Sequence, residues 1–358
     1  MENTDPVVDT DVHNAFKSKT ELLDFLPQEW HRQWAASGTG GGVYYSPVGL
    51  MRRDAVPPGG GTPGNDPAYL DEHHLSPHGI DYAILTGSGV LGLSLLPDPD
   101  YGTAIAAAYN DWLAATWLPA SEKYKGSIII NASDPVAAAE EIARSAGHPD
   151  VVQVLMASAA QQPYGQRFYH PIYAAAEKAG LPIAIHPGTE GRGIAGAPTP
   201  AGYPTRYFEW HNILPINYMT HVNSLVSEGV FEKFPDLTFV AIEGGIAWLP
   251  HLMWRMDKNY KALRATVPWL KRRPSEYIRK HIRLTTQPIE EPDDPRHLGQ
   301  IIAMAGAETM IMFSSDYPHW DFDNPRIALP PLDRDVRTRI MSTNAVQLYG
   351  LATSGAGA

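Results

Sequence analysis

Cysteine is absent from all 358 residues, which excludes a disulfide framework and any thiolate metal site. A metal bound by this chain has to be held by His and carboxylate side chains. Basic charge is also scarce. Lys and Arg number 28 against 39 Asp and Glu, a net charge of −11, so no nucleic-acid partner is expected. No apolar run approaches the ~20 residues needed to span a bilayer. The acidic start Met1-Glu2-Asn3-Thr4-Asp5 lacks an apolar signal segment. A soluble, cytoplasmic protein with no membrane partner is the expectation. A glycine-rich nucleotide turn is missing after the first strand-like run, which leaves a doubly wound sheet as the second choice of fold.

What is present is a set of metal-binding residue types at strand ends. The run Pro6-Val7-Val8-Asp9-Thr10-Asp11-Val12-His13 is apolar and β-branched, then closes on two side chains able to hold an ion. Residues two apart on a strand share a face, so Asp11 and His13 aim together while Val12 points away. Ile183-Ala184-Ile185-His186 closes a second apolar run on a His, and Met310-Ile311-Met312-Phe313-Ser314-Ser315-Asp316 closes a later one on an Asp. Strands are expected at residues 7–12, 82–85, 127–130, 151–155, 183–186, 237–242, 282–285 and 310–313. Helical patterns at 132–146, 169–179, 219–231 and 296–305 lie between several of them. Strands alternating with helices argue for a parallel sheet, and eight units argue for an α/β fold of the (β/α)8 TIM-barrel type, one domain spanning 1–358. In such barrels chemistry sits at the C-terminal strand ends, where Asp11, His13, His186, Glu243 and Asp316 all fall.

One stretch departs from this rhythm. Residues 37–67 are loaded with Gly and Pro, and a structureless insertion of that length is an active-site lid or a disordered loop. Tyr44, Tyr45, Met51, Arg52 and Arg53 are its residues with binding potential, with Arg52 or Arg53 suited to an anionic substrate. Trp210 and His211 follow the fifth strand's loop, and His319 and Trp320 follow the eighth-strand Asp; all four are expected around a substrate. His221 either reaches the metal face or packs. His170 reads as structural, and the adjacent His73-His74 pair reads as a solvated loop.

The chain resembles the amidohydrolase-related family, in the branch that contains aminocarboxymuconate-semialdehyde decarboxylase and γ-resorcylate decarboxylase. The resemblance is carried by the three strand ends and by Gly229-Val230-Phe231-Glu232-Lys233-Phe234-Pro235-Asp236-Leu237. Gly244-Gly245 with Trp254-Arg255-Met256-Asp257, Phe313-Ser314-Ser315-Asp316-Tyr317-Pro318 and Asn344-Ala345 complete it. The resemblance implies one divalent metal in a barrel, held by Asp11, His13, His186 and Asp316. It also implies that Arg255 holds a substrate carboxylate. Two positions depart from the family pattern. Members usually place His or Glu where this chain has Asp11, and a proton-handling His where it has Glu243.

Imidazole and carboxylate donors suit Zn²⁺ first, with Mn²⁺ as the alternative. Asp316 and Glu243 are the two candidate bases beside a metal-bound water, and Glu243 has the further reading of orienting a His ligand. Three functions compete. A hydrolase of an amide, lactone or activated C–C bond, acting through metal-bound hydroxide, is the leading expectation. Non-oxidative decarboxylation of a small aromatic or dienoic acid is the alternative, and a binding barrel without turnover is the third. The expected partners are a small molecule, carboxylated in the second reading, and a second copy of the chain in a homodimer.

Overall fold

The computed structural model describes residues 6–39, 44, 46 and 48–352; Tyr45 and residues 40–42 of the insertion lie outside them. Eight strands form one sheet in chain order. They are β1 (Val8–Val12), β2 (Tyr82–Leu85), β3 (Tyr124–Ile129), β4 (Val151–Ala157), β5 (Ile183–His186), β6 (Phe239–Ala241), β7 (Ile282–Thr285) and β8 (Ile311–Met312). Every neighbouring pair is parallel. The ring closes where Thr10 N donates to Phe313 O at 3.0 Å and His13 N donates to Tyr317 O at 2.8 Å. This is the (β/α)8 barrel that the strand count predicts.

Apolar β-branched runs build the strands, and alternation decides what each residue packs against. Val154 and Met156, Ile183 and Ile185, and Phe239 and Ala241 belong to one buried cluster. The intervening Leu155, Ala184 and Val240 belong to another, as the period of two requires. Strand edges move by a few residues from expectation. β3 starts at Tyr124 and β8 is only Ile311–Met312, because the chain leaves the ladder early to turn toward Asp316.

Local chemistry sets the helix ends. The helix Pro135–Ser145 starts later than its pattern suggests, because Asp134 caps Ala137 N and Pro135 occupies the first turn. Pro215–Ser227 starts earlier, also on a first-turn Pro, and Gly229 at φ 71° breaks the expected run into two helices. Among the described residues, no helix is long and apolar enough to cross a membrane.

A buried polar network ties the first and last strands together. Asp9 Oδ2 accepts from His74 Nε2 at 2.8 Å and from Ser315 Oγ at 2.6 Å, while Asp9 Oδ1 accepts from Ser315 N at 2.9 Å. His74 is therefore a core residue rather than part of a solvated loop. Gly64, at the end of the insertion, sits so close that a Cβ there would lie 2.3 Å from His13 O. Only glycine fits this position, and the chain after the insertion is thereby pinned against β1.

Candidate active site

Four side chains converge at the C-terminal mouth. Donor atoms of Asp11, His13, His186 and Asp316 lie within 4.8 Å of one another, and all four residues are buried. His13 Nε2 is 3.0 Å from Asp316 Oδ1, and His186 Nε2 is 3.4 Å from Asp11 Oδ2. Asp11 lies within β1, His186 ends β5, and Asp316 follows β8 at φ 59°, a left-handed turn that aims its carboxylate inward.

Surrounding groups fix the direction of each donor. His13 Nδ1 donates to Gly87 O at 2.6 Å and His186 Nδ1 donates to Pro187 O at 2.9 Å. Each ring thus presents a lone pair on Nε2 toward the centre. Thr86 Oγ1 donates to Asp11 Oδ1 at 2.6 Å, and His319 Nδ1 meets Asp316 Oδ1 at 2.6 Å. Among the described residues, one atom on each of the four remains buried without a hydrogen bond: Asp11 Oδ2, His13 Nε2, His186 Nε2 and Asp316 Oδ2. Orphaned buried donors and acceptors are costly. Two imidazoles and two carboxylates sharing their orphans fit a divalent cation.

The electrostatics agree with a site built for positive charge. Burial disfavours a charged His13, yet Asp11 and Asp316 outweigh it and push the imidazole up to about 9. Burial raises Asp316, but His319 and His13 outweigh it and hold the carboxyl well below the ordinary range. Glu243, at φ 59° just past β6, is driven well above that range by burial and then by the charges of Asp316, Asp321, Asp11 and Glu190. Its Oε2 lies 3.4 Å from His186 Nε2.

Above the cluster opens a cavity of about 590 Å³, within the range of small-molecule sites. His13, His186 and Glu243 line it, as do Trp210, His211, His319 and Trp320. The described part of the insertion contributes Thr39, Tyr44, Ser46, Gly49, Leu50 and Met51 to its wall. Met51 forms an antiparallel bridge with His319, and Arg52 N donates to Pro318 O at 2.9 Å.

Two expected substrate residues are elsewhere. The helix Trp248–Leu263 buries Leu249, Leu252, Met253 and Met256, which puts Arg255 and His251 on its exposed opposite face, away from the cavity. Arg52 turns from the cavity because Asp54, two residues on, takes its guanidinium at 2.6 Å while Phe322 stacks beneath it. His221 also lies outside the cavity wall. Its Nε2 bonds Ser158 O at 2.7 Å, its Nδ1 accepts from Tyr164 N at 3.2 Å, and burial pushes it down to about 4. The packing reading of this His is the one the structure supports.

The sequence reading passed over Arg192, Glu190, Tyr207 and Asp321, all of which line the cavity. Arg192 is half-buried and forms no ion pair among the described residues. Its available signal was position alone: Thr189-Glu190-Gly191-Arg192 follows directly on the β5 His, in a loop that must face the mouth.

With this geometry in hand, the comparisons are decisive on family. The family model described as Amidohydrolase matches residues 11–351. The chain belongs to the amidohydrolase family. γ-Resorcylate decarboxylase of Rhizobium sp. (strain MTP-10005) is 26% identical over 291 residues, covering 77% of this chain and 85% of that protein. The crystal structure of 2,6-dihydroxybenzoate decarboxylase from Rhizobium superposes with a TM-score of 0.68 at 22% identity, over 97% of this chain and 99% of that one. The 5-carboxyvanillate decarboxylase of Novosphingobium aromaticivorans, crystallised with manganese and 4-hydroxy-3-methoxy-5-nitrobenzoic acid, superposes at 0.69 with 18% identity, over 98% of this chain and 97% of that one. These relatives overturn the hydrolase expectation, because amidohydrolase-family members similar to this chain carry decarboxylase names.

Proposed function

We propose that the chain is a metal-dependent, non-oxidative decarboxylase of a small aromatic carboxylic acid with a hydroxyl beside the carboxylate. The observation that carries this reading is that Arg192 lines the same cavity as the buried His and carboxylate cluster. The names of the relatives support it. Asp11, His13, His186 and Asp316 would hold the ion, and the manganese of the Novosphingobium neighbour favours Mn²⁺ over the Zn²⁺ expected first. When bound, the ion supplies Lewis-acid polarisation of the substrate's oxygens.

The remaining roles fall to the chain's own residues. Arg192 binds the carboxylate through paired N–H donors. Trp210, Leu50 and Met51 pack the ring and exclude water. Trp210 Nε1 and Tyr44 OH are buried without partners among the described residues and would meet ring hydroxyls. His211, stacked on Tyr207 with ring centroids 5.5 Å apart, borders the same space. Asp316, gripped by His319, passes a proton taken from water to the ring carbon; the C–C bond breaks, a C–H bond forms, and CO₂ departs with the remaining hydroxide as bicarbonate. Glu243, with Oε2 3.4 Å from His186 Nε2, steadies that ligand. The described insertion residues Thr39, Tyr44, Ser46, Gly49, Leu50 and Met51 act as the cover of the cavity.

The test is a panel of aromatic acids with and without an adjacent hydroxyl, incubated with Mn²⁺-loaded protein while CO₂ is measured. Release from hydroxylated acids, abolished by chelation and restored by Mn²⁺, is expected. Absence of CO₂ from every acid with the metal fully loaded would overturn the reading.

A further inference from the structure

Beside the four-residue cluster lies a second constellation, of which the proposed reaction uses only Glu243, as the neighbour of His186. His211, Glu243 and Asp321 offer ligand atoms within 4.8 Å of one another. They come from three separate segments: the short helix Tyr207–His211 after β5, the end of β6, and the loop after β8. All three line the cavity. We propose that this trio is a second divalent-cation site, adjacent to the first.

Two observations beyond the grouping point to a ligand. Among the described residues, Asp321 Oδ2 is buried with no hydrogen-bond partner, and His211 Nε2 stands 3.3 Å from it. The Glu243 side chain is 9% exposed, and among the described residues its only charged neighbour within reach is His186 Nε2 at 3.4 Å. A carboxylate that is nine-tenths buried normally collects several donors. This one collects none and faces the cavity. One imidazole and two carboxylates form a donor set for Mn²⁺ or Zn²⁺. The remaining positions are open to the cavity, as in a site that binds substrate or water. The Glu243–His186 contact makes the two sites neighbours, so occupation of one is felt at the other. The site rests on these residues alone and does not depend on which reaction the chain performs.

The experiment is a Mn²⁺ titration of the chelated, refilled full chain, with bound metal counted by equilibrium dialysis and free Mn²⁺ followed by its paramagnetic resonance signal. Two equivalents per chain are expected. Asp321→Asn and His211→Gln are near in shape to the native residues, and each should weaken one equivalent by at least about tenfold while leaving the other in place. Asp11→Asn should weaken the other equivalent instead. Circular dichroism and melting temperature identify folded variants, and either variant of the trio suffices. A single equivalent in the native chain would overturn the proposal. So would a second equivalent that survives the Asp321→Asn, His211→Gln double variant.

Discussion

Asp11 stands where the family resemblance implies His or Glu, and its short carboxylate is oriented by a neighbour. Thr86 Oγ1 holds one of its oxygens at 2.6 Å and leaves the other 3.4 Å from His186 Nε2. Oriented ligands bind metal more tightly because less freedom is lost on binding. Thr86→Val keeps the volume and removes the donor, and we expect Mn²⁺ affinity to fall about ten- to hundredfold with the fold intact. Unchanged affinity by dialysis would mean that Asp11 needs no orienting partner. At Arg192 the expectation is geometric. Lysine cannot reproduce two parallel N–H donors, so Arg192→Lys should raise KM for an aromatic acid about tenfold, the loss of roughly 1.4 kcal/mol of binding. The same variant should leave the metal content unaltered. An unmoved KM would take Arg192 out of carboxylate recognition.

At the level of elements, much was legible and the omissions have physical causes. Strand positions could be read because β-branched runs and their terminal Asp and His lie within single stretches of sequence. Arg255 was misplaced because resemblance identifies a segment, whereas burial depends on the phase of its helix; Leu249, Leu252, Met253 and Met256 fix that phase. His74 reads from sequence as a solvated loop because its partner Asp9 lies 65 residues away. The positive φ angles of Glu243 and Asp316 have no local signature, since neither residue is glycine. His221 yields a prediction for its own helix. Its folded-state value of about 4 lies below the ordinary 6.5, so between these limits the unfolded chain binds a proton that the folded chain refuses. Stability from this group is complete above about pH 6.5 and is lost as pH falls toward 4, by about 3 kcal/mol. Urea unfolding across that range should show a shallower acid limb for His221→Asn than for the native chain. Identical limbs would mean that His221 is not the group responsible.

For the whole molecule, the barrel was legible and the reaction was not. Eight strand-plus-helix units predict a ring. Its closure through Asp9, His74 and Ser315 depends on residues from both ends of the chain and cannot be seen in any one stretch. The same His and carboxylate cluster serves hydrolysis and decarboxylation alike, because function resides in the loops around a shared scaffold. Those loops carry Arg192, Tyr207 and Asp321, which have no periodic or motif signature. The relatives, together with the position of Arg192, move the account from hydrolysis to loss of CO₂. The measurement closest to that claim follows the fate of both halves of the broken bond. Mn²⁺-loaded protein is incubated in D₂O with 2,6-dihydroxybenzoate labelled with ¹³C at the carboxylate, and ¹H and ¹³C NMR spectra are recorded. The account predicts labelled CO₂ and bicarbonate, with deuterium at the ring carbon that lost the carboxylate and a rate set by enzyme concentration. An intact acid, with the methyl ester or amide of the same acid cleaved under the same conditions, would contradict it.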